Sequence, residues 1–484
     1  MNKPYLDFLF HPSSLAVVGV SPDTTRPNLA LRFLQSLSKS GFKGNIYPIH
    51  PAGGEINGFK VYPSLRDVPG NVDYVISAIP ARLTPKLLED SAAKGVKAVH
   101  LFTSGYSEIE DVVGKGLEHQ VLKIARASGI RIIGPNCMGV YCPETGLTFS
   151  ADFPGQPMFP SIPGPLGLIS QSGGNSMFCI REATGRGVYF SKLVSYGNAA
   201  DLNESDYLEY MTEDPDTKII GMYVEGVKDG RRFLNTLKKA ADFKPVIIYK
   251  AGVTESGART CASHTSSIAG SAGTWQAFLK QFNAVQVNSM EEIVDVSLAM
   301  LKLPVPHGRR TVVIGTGGGA GVIAADDCTQ AELSLPLLPS DVRKKLNAIY
   351  GTEAGSMFRN PVDAPPMASV ESYFEAVKTL ADSNAIDIVM MQFSLDIWGM
   401  AYRGDIILPF IDVVLKAAKY VTKPMPVVLH NCATPEARQL AAEVQEKFVK
   451  AGLAVYPSLG SAARAMHKYL LYEEERKRRG LQGR

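Results

Sequence analysis

Residues 262–270 place one histidine, His264, among alanine, serine, threonine and glycine residues. A bulky charged group can approach an imidazole with such small neighbours from several sides, and Gly257 and Gly270 are candidate hinges for the segment. Neutral imidazole is a nucleophile near pH 7, so this setting is suited to a histidine that accepts a phosphoryl group. The alternative interpretation is a polar surface loop that happens to contain a histidine.

A glycine-rich turn and a carboxylate are predicted to lie near this histidine. The segment 170–174 reads Ser-Gln-Ser-Gly-Gly between a strand at 166–169 and a helix at 175–184, and the N–H groups at a helix start bind phosphate. Glu225 follows a buried strand at 219–224, and a carboxylate bonded to one ring nitrogen leaves the other nitrogen free to attack. A solvated acid at a strand end is the alternative for Glu225. Because the carboxyl ends of parallel strands share one edge, we expect these loops to converge.

Short β-branched runs alternate with helical patterns along the whole chain, which predicts an α/β fold of doubly wound parallel sheets. In the first part of the chain, each predicted strand ends in a loop of small residues, proline or glycine, where such a sheet binds its ligands. The first of these loops has the size of a phosphate-binding loop but lacks the full G-x-G-x-x-G fingerprint of dinucleotide-binding proteins. The alternative interpretation is a plain strand-to-helix turn. The predicted strands lie at 15–20, 45–49, 73–79, 98–102 and 130–133.

Changes of composition divide the chain into three predicted domains. Residues 1–143 form the first doubly wound domain, and a proline-rich linker covers 144–165. The second domain covers 166–303 and includes the histidine segment. A third α/β domain covers 308–475 and is followed by a basic tail at 476–484.

The third domain carries a glycine-rich run at 315–321 between a predicted strand at 311–314 and a helix. This is the correct setting for an anion cradle, and close packing of the helix on the sheet is the alternative. No Lys-Ser or Lys-Thr pair follows the run, so it is not a Walker A loop.

Composition excludes several classes of protein. The chain has 484 residues, 45% of them hydrophobic, and a formal net charge of +3, so no global field favours nucleic acid or an anionic membrane. The six cysteines are scattered without a C-x-x-C pair, which argues against a zinc ribbon or a disulfide framework and indicates reduced thiols. No apolar run approaches the roughly 18 residues of a membrane span. We therefore expect a cytoplasmic protein with no metal site of its own.

Several motifs in one order resemble the α subunit of the NDP-forming acyl-CoA synthetases, the superfamily that includes succinyl-CoA synthetase. The resemblance covers essentially the whole chain, and it implies a Rossmann-like CoA-binding domain followed by two flavodoxin-like ligase domains. The residues that carry it are Gly19 and Ser21, and the segments 41–48 (Gly-Phe-Lys-Gly-Asn-Ile-Tyr-Pro), 132–137 (Ile-Ile-Gly-Pro-Asn-Cys), 170–174 and 256–270.

The resemblance also implies roles for individual residues. It makes His264 the phosphorylated histidine, Glu225 its orienting carboxylate, and Ser172, Gly173 and Gly174 the phosphate cradle. The residues it assigns to CoA are Gly19 in the first loop, Ser21 and Lys43 near the phosphates, Ile79 and Pro80 near the adenine, and Pro135 and Asn136 near the thiol.

The implied reaction converts a carboxylic acid, CoA and ATP into acyl-CoA, ADP and phosphate by way of phosphohistidine and an acyl phosphate. In this superfamily ATP, ADP and Mg²⁺ are bound by an ATP-grasp portion, and no such portion is found in these 484 residues. We therefore expect a separate ATP-grasp β subunit, in an α2β2 assembly, and no nucleic-acid or membrane partner.

Two positions depart from the family pattern. Ser266 stands where glycine is usual, which could stiffen the histidine segment, and Gly174 stands where a small apolar residue is frequent.

Two other functions compete with the ligase. A CoA-binding regulatory protein that has lost the chemistry is disfavoured by the intact His264 and Glu225, and a nicotinamide-dependent oxidoreductase rests on the fold alone.

Overall fold

The computed structural model describes residues 4–23, 25, 28–109, 111–149, 158–265, 272–315, 317–351, 358–364, 370–396 and 407–481. The chain divides into two compact units: Met1–Thr184 with Val188–Ile293, and Gly185–Gly187 with Val294–Arg484. Two largely parallel sheets lie in the first unit and a third lies in the second unit. The α/β class is thereby confirmed, and the boundaries of the three predicted domains stay a prediction.

The first sheet is fully parallel, in the order β2-β1-β5-β6-β7. A small antiparallel hairpin, β3 with β4, follows β2. The strands are β1 Ser14–Val18, β2 Asn45–Ile49, β3 Glu55–Ile56, β4 Phe59–Lys60, β5 Tyr74–Ser77, β6 Ala98–Leu101 and β7 Arg131–Ile133. The helices are α1 Asp7–Phe10, α2 Leu29–Lys39, α3 Thr84–Lys94 and α4 Val112–Ser128.

The second sheet has the order β13-β12-β11-β9-β10-β8, in which β8 alone runs antiparallel, against β10. The sequence placed β8 in the first domain, but its backbone pairs with the second sheet. The strands are β8 Gly139–Tyr141, β9 Leu166–Ser170, β10 Phe190–Ser195, β11 Ile219–Val224, β12 Val246–Lys250 and β13 Val285–Val287. The helices are α5 Gly173–Gly185, α6 Glu204–Glu213, α7 Gly230–Phe243, α8 Glu255–Thr265, α9 Ala272–Gln281 and α10 Met290–Lys302.

The third sheet, in the second unit, is parallel in the order β15-β14-β16-β17-β18. Its strands are β14 Thr311–Gly315, β15 Val362–Asp363, β16 Ile388–Phe393, β17 Val427–Leu429 and β18 Val455–Tyr456. The helices are α11 Gly318–Gln330, α12 Ser340–Tyr350, α13 Val370–Ala381, α14 Ile407–Tyr420, α15 Pro435–Lys450 and α16 Leu459–Arg478.

All three sheets repeat one strand order. When the parallel strands of each sheet are numbered along the chain, each sheet reads 2-1-3-4-5. Connections leave the sheet in opposite directions from strands 1 and 3, which opens a crevice at their carboxyl ends. The crevices lie between β1 and β5, between β9 and β11, and between β14 and β16. The first two bear on the predicted site.

The histidine segment is more helical than expected. Helix α8 continues through Thr265, so residues 262–265 are helical where the sequence predicts a loop. Gly257 lies inside this helix, where an added Cβ would approach Thr254 Oγ1 at 3.0 Å. Gly257 is therefore a packed residue of a helix and not a hinge within a loop. Ser266 and Gly270 lie outside the described residues.

The glycine run of the third sheet shows close packing at its first residue. A Cβ on Gly315 would lie 2.4 Å from Gln392 Cγ on the neighbouring strand. Gly317 has a φ of +99° and its N–H donates to Asp363 Oδ1 at 2.9 Å, directly before α11 begins. Packing between neighbouring strands thus accounts for Gly315, and both interpretations of the glycine run, an anion cradle and close helix-to-sheet packing, stay predictions.

Candidate active site

A cavity of about 440 Å³ lies in the first unit, where loops of the first and second sheets meet. We call it the junction cavity. Its walls come from the loops that follow β6, β7, β9 and β10, so the carboxyl edges of both sheets face it. It brings Asn136, predicted near the thiol, together with Ser172, Gly173 and Gly174, predicted near the phosphate. The lining residues are Leu29, Phe102, Thr103, Ser104, Asn136, Cys137, Met138, Gln171, Ser172, Gly173, Gly174, Gly197 and Asn198.

Helix α5 begins at the wall of this cavity. Ser172 precedes the helix, and its Oγ accepts a hydrogen bond from the Asn175 N–H at 3.3 Å. The first N–H groups of a helix have no partner within the helix, so they form a site for an anion. Gly173 is required sterically, because a Cβ there would lie 2.6 Å from Met138 Cγ. At Gly174 a Cβ would meet nothing within 4 Å, so the small apolar residue frequent in the family would also fit.

Glu225 lies directly after β11, beside the end of β9, at the crevice of the second sheet. It is 5% exposed, so it is not a solvated acid. Gln171 Oε1 accepts hydrogen bonds from the N–H groups of Glu225 at 2.8 Å and Gly226 at 3.2 Å. The Tyr223 hydroxyl donates to Glu225 Oε1 at 3.2 Å. The turn before α5 and the turn carrying Glu225 are thus joined by one side chain.

Helix α8 approaches the same edge. Lys250, at the end of β12, is 2% exposed and donates from Nζ to the carbonyl oxygens of Glu225, at 2.8 Å, and Ala251. Burial lowers the pKa of Lys250. Burial also raises the pKa of the Cys261 thiol in α8, and the nearby Glu225 carboxylate raises it further. His264 lies one turn after Cys261 on the helix; its side chain lies outside the described part of the chain.

An amide and carboxylate network closes one side of the junction cavity. Asn136 Nδ2 donates to Asn198 Oδ1 at 3.5 Å, and Asn198 Nδ2 donates to Glu108 Oε2. Glu108 Oε1 also accepts from the N–H of Tyr106 at 3.2 Å. Helix α8 contacts the 3₁₀ turn Ser107–Ile109 that carries Glu108. These contacts connect loops of both sheets with the helix of the predicted phosphohistidine.

A second cavity, of about 400 Å³, lies at the crevice of the first sheet between β1 and β5. It brings together Gly19, Ile79 and Pro80, all predicted to bind CoA. Gly19 has a φ of +105°, and a Cβ there would approach Ile79 Cγ2 at 3.1 Å. Its lining is mostly apolar, with the addition of the His50 imidazole, the Ser64 hydroxyl and the ion-paired Lys86 and Asp90.

Ser21 and Lys43, both predicted near the CoA phosphates, do not line that cavity. Ser21 follows β1, and its Oγ accepts from the Asp23 N–H at 3.1 Å. Lys43 precedes β2, whose first residue pairs with Ser14 at the start of β1. A strand rises about 3.3 Å per residue, so Lys43 lies roughly 13 Å from the carboxyl edge that carries Gly19. Ser21 and Lys43 therefore lie at opposite edges of the first sheet, and the assignment of both residues to the CoA phosphates stays a prediction.

Five residues of these sites escaped prediction: Gln171, Asn198, Glu108, His50 and Lys86. Gln171 stood inside a quoted motif, and its position before the cradle was a usable signal. Asn198 and Glu108 lie in loops far apart in sequence, and only the meeting of the two sheets brings them together. His50 follows a predicted strand directly, which was a usable signal for a ligand-facing position.

The part of the chain that the structure describes holds neither a metal-binding cluster nor a membrane-spanning helix. Within them no group of three or more His, Cys, Asp or Glu side chains is placed to hold a metal ion. No helix there has the length and apolarity needed to cross a bilayer. The six cysteines form no disulfide.

Two family profiles match the chain. The CoA binding domain matches residues 13–143, and the succinyl-CoA ligase like flavodoxin domain matches residues 163–300. The α subunit of acetate–CoA ligase (ADP-forming) I from Pyrococcus furiosus is 39% identical over 379 residues, which are 77% of this chain and 79% of that protein. The chain is 35% identical to acetate–CoA ligase (ADP-forming) I from Archaeoglobus fulgidus over 80% of its length, but this covers 54% of that longer protein.

A solved structure agrees with these relatives. The dinucleotide forming acetyl-coenzyme A synthetase 1 of Ca. Korarchaeum cryptofilum, in complex with phosphate and ADP, superposes with a TM-score of 0.81 at 30% identity, covering 99% of each chain. The expected resemblance is confirmed by sequence and by structure. The chain therefore belongs to the ADP-forming acyl-CoA synthetases of the succinyl-CoA synthetase superfamily, a family of acid–thiol ligases.

Proposed function

We propose that this chain carries the CoA-binding and phosphohistidine chemistry of an acid–CoA ligase, with His264 as the residue that is phosphorylated. The observation that carries the proposal is the convergence at one cavity of the α5 N-terminus and the CoA-binding portion, with the Glu225 turn bonded to Gln171 in the cavity wall. Helix α8, which carries His264, approaches the same edge.

The proposed roles follow from charge and position. Glu225 accepts a hydrogen bond from one imidazole nitrogen, which leaves the lone pair of the other nitrogen to attack phosphorus. Ser172 and the N–H groups of Gly173 and Gly174 hold the transferring phosphoryl oxygens, because a helix start presents aligned donors. The phosphoryl group then passes to the carboxylic acid, and CoA displaces phosphate from the acyl phosphate.

CoA is proposed to extend from the first-sheet crevice to the junction cavity. Gly19, Ile79 and Pro80 surround the adenine end, and Ser21 lies near the phosphates. Pro135 and Asn136 lie near the thiol. Asn136 is in the wall of the junction cavity, so a thiol there is adjacent to the phosphate cradle.

ATP and Mg²⁺ are proposed to bind an ATP-grasp partner. The Pyrococcus relative is named as a subunit α, and the Archaeoglobus relative is a longer single chain. A β subunit in an α2β2 assembly is the arrangement we propose. Nucleotide choice then belongs to that partner.

The test is phosphate labelling of the chain, isolated with its partner and given Mg²⁺ and γ-labelled ATP. Acid-labile, base-stable label is expected on the parent. His264→Ala should carry no label and show no turnover, while its CoA affinity stays at the parent value. The matched control is His119→Ala, which removes an exposed imidazole from α4 and should label normally. Label retained on His264→Ala would remove this histidine from the reaction.

A further inference from the structure

Gln171 has a fixed side-chain orientation. It is 3% exposed, and its Oε1 accepts from two backbone N–H groups, those of Glu225 and Gly226, at 2.8 and 3.2 Å. Both neighbours are donors, so the amide oxygen must occupy this position and the NH₂ group must lie on the opposite side. The sequence motif alone carried no information on this orientation.

The Nε2 group of Gln171 is a donor without a protein acceptor. Within the described residues it makes no hydrogen bond, although Gln171 is almost fully buried and lines the junction cavity. Buried donors in folded proteins are satisfied by protein, water or ligand. The NH₂ group is therefore the polar contribution of Gln171 to the cavity wall, where a bound molecule can accept from it.

The surroundings of this donor indicate the kind of acceptor. Ser172 and Gly173 follow directly at the start of α5, where an anionic group is favoured. The other polar side chains on the described cavity wall are hydroxyls and amides, and none of the lining residues carries a formal charge. Preorganised neutral donors of this kind stabilise an oxyanion that develops during a reaction.

We propose that Gln171 Nε2 donates to the carbonyl oxygen of the acyl group and stabilises its negative charge while CoA attacks. This inference rests on the proposed function. The CoA sulfur forms a bond to the acyl carbon, and the carbonyl oxygen takes up the electron pair. The pair then returns as the carbon–oxygen bond to phosphate breaks, and the thiol proton ends on the released phosphate. Gln171 is thus a catalytic residue of the thioester step.

The test separates loading of the chain from the later transfer. The complex is first labelled from γ-labelled ATP, freed of nucleotide, and then given CoA with a short monocarboxylic acid that the parent converts. Gln171→Glu keeps an oxygen for the two N–H groups but removes the donor, and Gln171→Met removes the donor without adding charge. In both variants acyl-CoA formation should fall at least about 100-fold further than labelling does, since Gln171→Met also removes the acceptor of the Glu225 and Gly226 N–H groups and slows labelling to some extent.

Gln120→Glu, the same change on the exposed face of α4, is the matched control and should behave as the parent. Acyl-CoA formed by both Gln171 variants within a few-fold of the parent rate would overturn the proposal. Labelling that falls in parallel with acyl-CoA formation would also overturn it, because Gln171 would then act only by holding the Glu225 turn. A parent that accepts no label would instead contradict the proposed function itself.

Discussion

Glu225 is held by three neighbours on three different strands or turns. Gln171 accepts from its N–H, Tyr223 donates to its carboxylate, and Lys250 donates to its carbonyl oxygen. Each bond removes a degree of freedom from a residue that is 5% exposed. A carboxylate held this firmly can fix the orientation of an imidazole at little entropic cost.

We predict that Glu225→Gln slows phosphorylation of His264 by at least about 100-fold, because loss of an orienting carboxylate next to a catalytic imidazole is severe in other enzymes. CoA affinity should change little, since Glu225 lies on the second sheet. Rapid-quench labelling and CoA titration measure the two quantities. Glu89→Gln, an exposed acid on α3, is the control. Equal losses in both quantities would contradict the orienting role.

His100 is a buried titratable residue whose pKa makes the stability of the fold depend on pH. It is 1% exposed on β6, and its Nε2 lies 3.0 Å from the Cys137 carbonyl oxygen. Burial lowers its pKa to about 4. An unfolded histidine titrates near 6.5, so the unfolded state binds more protons between these values and the fold loses stability as pH falls through this window.

We predict that the free energy of unfolding of the first unit falls by about 2 kcal/mol between pH 7 and pH 5 on account of His100. His100→Gln cannot take up a proton and can still donate to Cys137, so its loss over the same range should be smaller by that amount. Urea unfolding at the two pH values measures both. Identical pH dependence in the parent and the variant would contradict the assignment.

At the scale of elements, the junction cavity depends on how closely two loops approach. Gly197 follows β10 with a φ of +54°, and a Cβ there would lie 2.3 Å from the carbonyl oxygens of both Pro135 and Asn136. The next residue, Asn198, donates from its N–H to the Pro135 carbonyl oxygen at 3.0 Å. The glycine therefore permits the loop after β10 to pack closely against the loop after β7.

We predict that Gly197→Ala lowers the free energy of unfolding by about 1–3 kcal/mol, the usual cost of backbone strain, and weakens CoA binding. Gly116→Ala is the control, because that glycine lies in α4, and a Cβ there meets nothing within 4 Å. It should leave stability unchanged or raise it, since alanine favours helix. Denaturant unfolding and CoA titration check both variants, and an unaffected Gly197→Ala would show that the loops can separate freely.

At the scale of the whole molecule, the second compact unit includes Gly185–Gly187, the short segment at the end of α5. Its Arg186 forms a 2.7 Å ion pair with Asp295, and both side chains are 6% exposed. Arg186 Nε donates to the Val455 carbonyl oxygen at 3.2 Å, and the guanidinium lies 5.3 Å from the centroid of the Tyr456 ring. The second unit thus holds this segment by a buried charge pair.

We predict that Arg186→Ala destabilises the second unit by about 3–5 kcal/mol, because Asp295 is left as a buried charge. Replacing both partners, Arg186→Met with Asp295→Leu, should restore most of the loss. Lys450→Ala breaks an exposed pair in the same unit and should cost less than about 1 kcal/mol. Thermal and denaturant unfolding measure all three. A double variant no better than Arg186→Ala would contradict the charge argument.

Family membership bears on the competing functions. The relatives named above are ligases, and none of the comparisons supports an inactive regulatory protein. The oxidoreductase reading rested on the fold class, which three sheets of identical order share with many unrelated activities. The side chains that face the reacting carboxylate decide which acid is converted. Adding different acids to the labelled complex and following the loss of label identifies that acid.

Local sequence determined the fold class and most strands. The runs at β2 and β11 were predicted to the residue, because each is a short run rich in isoleucine, valine and tyrosine that is bounded by loop residues. Ser172, Gly173 and Glu225 were predicted for a related reason, since each stands at a strand end where parallel sheets bind ligands.

Tertiary structure alone decided which of these ends meet. The pairing of β8 with β10, the bond from Gln171 to Glu225, and the contact of Asn198 with Glu108 join segments 50 or more residues apart. The edge of the sheet at which Lys43 lies is likewise set by the pairing of β2 with β1. Strand order and register arise from long-range pairing and burial, and these are properties of the folded chain rather than of any segment.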